Sequence, residues 1–329
     1  MPLISVIISV YNESLCLEAL YERLAKLKIS VNDHKFEFIF VDDGSKDDSR
    51  EIIRKLAKTD SDVKYVFFSR NFGHEMAMTA GLDHAKGDAI VLIDADLQDP
   101  PEVIIDMIGK WKQGFEIVYA RRTVRKGETI LKRFTSWAFY RLIRWLSKVD
   151  IPADTGDFRL MDRCVADQIL RCRERNRFFR GLIAWAGFKQ CPVFYDRDER
   201  LAGETKYSFF KLVKLAFDAV LSFSDAPLRL GVTLGGIVCL ISFIIGISVI
   251  IQKLVYDIKV QGYALLITAI TFLGGIQLLV IGMIGEYIGR IFTESQGRPL
   301  YICKEKSDSL PAEVEGFHSN PESITQEEV

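Results

Sequence analysis

Ala89-Ile90-Val91-Leu92-Ile93-Asp94-Ala95-Asp96-Leu97-Gln98-Asp99-Pro100-Pro101 decides how this chain is read. Five consecutive apolar residues form a buried strand, and a strand cannot continue into three acids and two prolines. The chain therefore surfaces at Asp94. Two carboxylates one residue apart emerge at a strand's carboxyl end, where open α/β sheets bind ligands. Closely spaced carboxylates repel, and a hard divalent cation bridged to phosphate relieves that repulsion. A capped turn, with Asp before Pro and a helix opening at Pro101-Glu102, accounts for the same residues. Taken alone, the stretch admits both readings.

The flanking sequence repeats the pattern. Residues 3–10 are a continuous apolar, β-branched run closed by Tyr11-Asn12-Glu13, and leucines at helical spacing follow at 17, 20, 24 and 27. Residues 36–41 predict a second buried strand ending at Asp42-Asp43-Gly44-Ser45, with a helix over about 48–57. Residues 63–68 predict a third, ending at Ser69-Arg70-Asn71-Phe72-Gly73, and a helix over 75–85 leads into the run at 89–93. Alternating strands and helices imply an α/β fold with a mainly parallel, Rossmann-like sheet and right-handed crossovers. Polar clusters recur at the strands' carboxyl ends, where a doubly wound sheet places its site.

The chain has 329 residues, enough for one large or two ordinary domains, and its formal net charge is −1 with 26% charged residues. That balance gives no global attraction to nucleic acid. Six cysteines without CxxC or His-paired spacing argue against zinc and against a disulfide framework. The amino terminus lacks a basic region and reads as a strand, not as a signal peptide.

Composition then changes along the chain. Residues 129–149 carry aromatics and cations and no acid, as an interfacial amphipathic helix does; residues 207–223 repeat that chemistry. Residues 230–251 and 260–285 contain no charged side chain, and each run exceeds the ~20 residues a membrane-spanning helix needs. Two transmembrane helices are expected. Lys211, Lys214, Arg229, Arg290, Arg298, Lys304 and Lys306 outweigh Lys253 and Lys259 in the short loop, so both termini are expected in the cytoplasm of a multi-pass protein. The expected division is a nucleotide-binding core over 1–128, an acceptor part with interface helices over 129–228, a membrane hairpin over 229–291 and a cytoplasmic tail over 292–329, disordered at its end.

Further signatures are Arg70-Asn71-Phe72-Gly73, Thr155-Gly156-Asp157-Phe158-Arg159-Leu160-Met161, Gly203-Glu204-Thr205-Lys206-Tyr207 and Gly285-Glu286-Tyr287-Ile288-Gly289-Arg290. With the strand-end motifs they make the chain resemble the family 2, GT-A fold glycosyltransferases that act on polyprenyl phosphates, a group that includes dolichyl-phosphate mannose synthases. The two-helix extension brings it nearest the bacterial bactoprenol (undecaprenyl-phosphate) glucosyltransferases of O-antigen modification. The resemblance covers about residues 3–303.

The resemblance implies a role for each matching residue. Tyr11, Glu13, Val41 and Asp43 stand at nucleoside-binding positions; a carboxylate accepts from a uracil N–H or ribose hydroxyl, and a tyrosine ring stacks. An Asx turn before Gly44 is a second role open to Asp43. The family usually has proline two residues before the tyrosine, whereas this chain has Ser9. Asp94, Asp96 and Gln98, with the Ala95 backbone, match the metal and sugar-nucleotide site, whose oxygen donors suit Mg2+ or Mn2+. Asp157 matches a position proposed as catalytic base. A phosphate acceptor is already anionic and makes little demand on a base, so orienting Arg159 or positioning the acceptor are roles equally open to it. Arg121 matches a phosphate contact, Arg133 lies where a lipid phosphate would meet the first amphipathic helix, and Arg200 with Lys206 matches a mobile acceptor-loop pair. His34, His74, His84 and His318 form no spaced pair and are assigned to helix or loop surface. Phe178, Phe179 and Trp185 are assigned to the core. Arg70-Asn71-Phe72-Gly73 fits either a family site or a structural loop.

The implied activity is inverting, metal-dependent transfer of a hexose, glucose from UDP-glucose, to undecaprenyl phosphate at the cytoplasmic face of the bacterial inner membrane. The implied partners are the UDP-sugar, the lipid phosphate, the bilayer and, by family analogy, further copies of the chain in a tetramer. The same reaction with aminoarabinose, an N-acetylhexosamine or mannose stays open, as does a non-catalytic membrane scaffold. A processive polysaccharide synthase is disfavoured, since it calls for a Gln-x-x-Arg-Trp motif that is absent.

Overall fold

The structure, a computed structural model, describes residues 1–123, 155–196, 226–256, 262–308 and 310. The expected amphipathic helices over 129–149 and 207–223, with Arg133, Arg200 and Lys206, lie outside the described residues. The order begins β1 (Leu3–Val10), α1 (Leu17–Ser30), β2 (Lys35–Asp42), α2 (Ser49–Thr59), β3 (Val63–Phe68), α3 (His74–His84), β4 (Ala89–Asp94), α4 (Val103–Lys112) and β5 (Ile117–Arg122). It continues with β6 (Thr155–Asp162), α5 (Arg163–Arg171), α6 (Phe179–Trp185), β7 (Gln190–Tyr195), α7 (Ala226–Tyr256), α8 (Tyr263–Ser295) and β8 (Cys303–Lys306).

The strands form one sheet in the order β7-β5-β6-β4-β1-β2-β3-β8. β4-β1-β2-β3 pair in parallel at its centre, β5 with β7 is parallel, and only β6 and β8 run against the rest. The expected mainly parallel sheet is therefore present. The reversed β6 brings the Asp157 segment alongside β4, with Leu92 opposite Arg159.

Alternation along the strands sends side chains to two faces. On one, Ile4, Val6, Ile8 and Val10 of β1 and Phe36, Phe38 and Phe40 of β2 meet Leu17, Leu20, Leu24 and Leu27 of α1, Ile53 of α2 and Ile104, Met107 and Ile108 of α4. Each such leucine, fully withdrawn from water, contributes roughly 1.5–3 kcal/mol relative to exposure. Val91 and Ile93 of β4 and Phe158 and Leu160 of β6 join this core, so Asp94, Asp157 and Arg159 alternate to the opposite face. That face receives α3. A Cβ on Gly81 would lie 2.1 Å from Ile7 Cγ2, so α3 can approach β1 this closely only with glycine there. The first turn of α3 reaches the carboxyl end of β4, where His74 meets Asp94.

The segment expected as a simple tail contributes β8, antiparallel to β3 with Val66 opposite Lys306. Arg54 donates to both oxygens of Glu305 at 2.8 and 2.7 Å. Tyr301 stacks on Phe68 at 5.0 Å and donates to Asp83 at 2.9 Å. A charged four-residue strand carries no apolar signature, so tertiary pairing alone defines it.

α7 and α8 belong to a second unit, in which they contact one another. A Cβ on Gly231 would meet Val280 and Met283 at 3.6 Å in ordinary van der Waals contact. Among the described residues one stretch, Phe272–Ser295, is long and apolar enough to cross a membrane, and Gly231–Ile245 is a shorter apolar stretch.

Candidate active site

β1, β2 and β4 end side by side, with Val10 opposite Asp42 and Ser9 opposite Asp94. The loops leaving them are stitched together. Asn12, at φ 56°, donates its N–H to Ser45 Oγ at 2.9 Å, and Lys46 N–H donates to Asn12 Oδ1 at 2.8 Å. Asp42, not Asp43, makes the Asx turn: its carboxylate accepts from Ser45 N–H at 3.1 Å and from Arg50 Nε at 2.5 Å. The Asp43 carboxylate turns instead to the loop before α3, accepting from Phe72 N–H at 2.6 Å and Gly73 N–H at 3.0 Å. Burial raises its pKa against these donors. Arg70-Asn71-Phe72-Gly73 thus carries the structural role of binding one strand end to the next. Tyr11, 39% exposed, stands at the mouth of this group, while Val41 is fully buried in β2 and offers only its backbone.

The metal-type acids diverge in environment. Asp94 leaves 40% of its side chain exposed and accepts from Ser9 Oγ at 2.9 Å. Ser9, where the resembled family usually has proline, therefore supplies a donor to the key carboxylate. Asp96 is nearly buried and accepts from Gln98 N–H at 3.1 Å across the left-handed Leu97, φ 58°. Asp99, buried, accepts from the Tyr195 hydroxyl and serves as an anchor for the loop. Among the described residues no three His, Cys, Asp or Glu side chains converge as a ready-made metal cage. Two carboxylates and an amide oxygen in one loop nevertheless fit a cation such as Mg2+ or Mn2+, which characteristically completes its shell with water and substrate phosphates.

Beside Asp94 stands Asp157. His74 Nε2 lies between them, 3.6 Å from Asp94 Oδ1 and 3.5 Å from Asp157 Oδ2. Arg180 grips Asp157 with both arms of its fork, Nε to Oδ1 and Nη2 to Oδ2, each at 2.8 Å. Burial works against ionisation of Asp157, but Arg180 and then His74 hold its pKa well below the usual carboxylate range. His74 is likewise opposed by burial, and Asp94 with Asp157 holds it up to about 10. Burial, with repulsion from Asp157 and Asp96, raises Asp94. Glu75, pushed up to about 7 by burial and by Asp157, accepts from Phe179 N–H at 3.1 Å and so ties the start of α6 to the start of α3.

Arg159 does not hold the Asp157 carboxylate. Its guanidinium donates to the carbonyls of Gly156 at 2.8 Å and Asp157 at 3.3 Å, and burial lowers its pKa to about 10. Arg121 lies over the Phe194 ring at 5.8 Å on β5. Glu13 N–H donates to Ser49 Oγ at 3.2 Å, which leaves its carboxylate role a matter of the sequence match.

Two assignments from the sequence require correction. His34 and His84 are buried, not surface residues, whereas His74 is exposed at the start of α3 as expected and from there reaches Asp94 and Asp157; His318 lies outside the described residues. Trp185 is 62% exposed whereas Phe179 is buried. Sequence reasoning also missed Arg180 and Glu75. His74-Glu75 directly after a glycine at a strand-end loop is a usable signal; Arg180, from a distant helix, carries none.

Comparison with known proteins supplies the class. The glycosyl transferase family 2 profile matches residues 5–170, and the GtrB C-terminal hairpin profile matches residues 226–291. An uncharacterized glycosyltransferase of Bacillus subtilis is 50% identical over 301 residues, 92% of this chain and 93% of that protein. The bactoprenol glucosyl transferase of Shigella phage SfV is 44% identical over 303 residues, 92% and 98% of the two chains. A prophage bactoprenol glucosyl transferase homolog of Escherichia coli is 43% identical over 301 residues, 92% and 98%. The chain belongs to glycosyl transferase family 2 and is a glycosyltransferase with the GT-A fold, followed by a GtrB-type hairpin.

Proposed function

We propose that this chain transfers a hexose, glucose from UDP-glucose, to the phosphate of undecaprenyl phosphate, with inversion at the anomeric carbon. The observation that carries the reading is the placement of Asp94 and Asp157 side by side at the sheet's ligand-binding end, in a chain similar along most of its length to bactoprenol glucosyl transferases. Tyr11 and the Asp43 loop form the nucleoside side; a carboxylate has lone pairs beyond those that Phe72 and Gly73 engage. Asp94, Asp96 and Gln98 would hold Mg2+ or Mn2+, which when bound offsets charge developing on the leaving diphosphate. Asp157 stands on the acceptor side, where its ionised, clamped carboxylate orients more readily than it accepts a proton. Arg121, Arg133, Arg200 and Lys206 are assigned to phosphate contacts on the sequence match.

In this reading α7 and α8 both cross the bacterial inner membrane and return the chain to the cytoplasm. The apolar, outward-facing side chains of both helices support it, among them Phe243 and Leu278 at 67% and 72% exposure. A site at the headgroup plane meets an insoluble acceptor by proximity, and a tetramer is the assembly expected from the family. The test is purified protein in detergent with radiolabelled UDP-glucose, Mn2+ and undecaprenyl phosphate, followed by extraction into organic solvent. Label in the organic phase is expected; none with any UDP- or GDP-sugar overturns the reading.

A further inference from the structure

Asp94 and Asp157 are neighbours on the same face of adjacent strands, yet their partners differ. Asp94 has a hydroxyl donor, Ser9, and remains part-exposed. Asp157 has both oxygens engaged by a bidentate guanidinium and is only 15% exposed. Bidentate contact fixes the plane of a carboxylate as well as its charge. The clamp is itself aimed: Glu75 fixes the first N–H of α6, one residue before Arg180, and Glu75 follows His74 in α3. His74 then spans the gap between the two acids within ion-pair distance of each. Arg159 is unavailable for this duty because it serves backbone carbonyls.

We propose that Arg180 and His74 are positioning residues that dedicate Asp157 to the acceptor side of the transfer and keep it out of the cation-binding group formed by Asp94 and Asp96. The proposal rests on the transferase reading above. Without the clamp, Asp157 would be a third unneutralised acid beside the cation ligands, free to swing toward the cation and repelling an anionic acceptor. With it, two adjacent carboxylates hold two separate roles, set by their surroundings.

Steady-state transfer from UDP-glucose to undecaprenyl phosphate, with a UDP-induced thermal shift recorded for each variant, tests this. R180Q is expected to lower kcat by about 100-fold through misplacement of Asp157, with the donor KM within about threefold of wild type. R180K recovers only part, because an ammonium lacks the fork. Acting through Asp157, Arg180 contributes little once that carboxylate is gone, so D157N/R180Q should match D157N within about threefold. H74Q, which keeps a side-chain N–H donor within reach of the two acids, should retain more activity than H74A. Unimpaired kcat in R180Q, or a multiplicative loss in the double variant, overturns the proposal. If R180Q shows no UDP-induced shift, R180K decides, and wild-type kcat there overturns it equally. A wild type without transfer removes the transferase reading and this proposal together; an active wild type with unimpaired R180Q removes the proposal alone.

Discussion

Replacing Gly44 by alanine should cost far more than a methyl group normally does. Gly44 sits at φ +77°, and a Cβ there would lie 2.5 Å from both the Arg70 carbonyl carbon and the Asn71 nitrogen. The left-handed backbone alone costs an L-residue ~1–2 kcal/mol. The obstruction is main chain and cannot rotate away, so the 70–73 loop must shift, stretching the Phe72 and Gly73 bonds to Asp43. Hydrogen bonds to charged groups contribute ~1.5–3 kcal/mol each, so losing one brings the total to about 2.5–5 kcal/mol. At ~2–4 °C per kcal/mol for a domain near this size, Tm should fall by about 5–20 °C. The control is Gly114→Ala, at φ +88° with nothing within 4 Å of the added Cβ, which carries only the backbone cost. Gly44→Asn should recover only the backbone part of this loss, since asparagine tolerates the φ but brings the same Cβ. Tryptophan-fluorescence melting of the purified proteins, with and without UDP, reads both stability and the strand-end site. Equal melting of the Gly44→Ala and Gly114→Ala proteins, with the UDP response intact, would mean that the 70–73 loop accommodates the added Cβ without loss.

Ser9→Ala removes the hydroxyl donor that orients Asp94 and should raise the Mn2+ concentration for half-maximal transfer roughly tenfold, with little change in Tm. A Mn2+ titration that overlays wild type contradicts this. Glu37, 3% exposed, accepts from Ser5 Oγ at 2.5 Å and Lys86 N–H at 2.7 Å and pairs with Lys64. Burial opposes ionisation there, yet these partners lower its pKa below the ordinary 4.5. Glu37→Gln should therefore cost about 3 kcal/mol at neutral pH. Because the folded pKa is the lower one, the wild-type advantage is full above about 4.5 and shrinks as pH falls through the folded value, which urea melts across pH 3–7 would show. Tyr301→Ala, losing the Phe68 stack and the Asp83 bond, should destabilise by about 3 kcal/mol. Arg54→Ala, at a part-exposed pair, should cost under about 1 kcal/mol by the same melts.

Much of the sheet was legible because its signal is local. Apolar runs ended by polar clusters located β1, β3 and β4 closely, and the acids at 94 and 96 follow from chain direction alone. What was not legible depends on elements meeting in space. β6 had only its motif to show, and its reversal, which sets Asp157 beside Asp94, is a property of pairing. His74 and Arg180 converge because Gly81 lets α3 approach β1 and Glu75 anchors α6. Neither circumstance leaves a spacing pattern. β8 reads Cys-Lys-Glu-Lys, a sequence with no strand periodicity, and is fixed by the Arg54, Tyr65 and Phe68 side chains around it. Ser9 departs from the family pattern and, in that place, donates a hydrogen bond to Asp94.

If the acids leaving β4 form the sugar-nucleotide site, label transfer from UDP-glucose to undecaprenyl phosphate depends on both of them, and it is measured for Asp94→Asn and Asp96→Asn beside wild type, with Tm recorded for all three. Removing either charge should lower transfer by at least about 100-fold, the scale lost with a principal electrostatic group, while Tm stays within a few degrees. Substantial transfer by both folded variants would contradict the account.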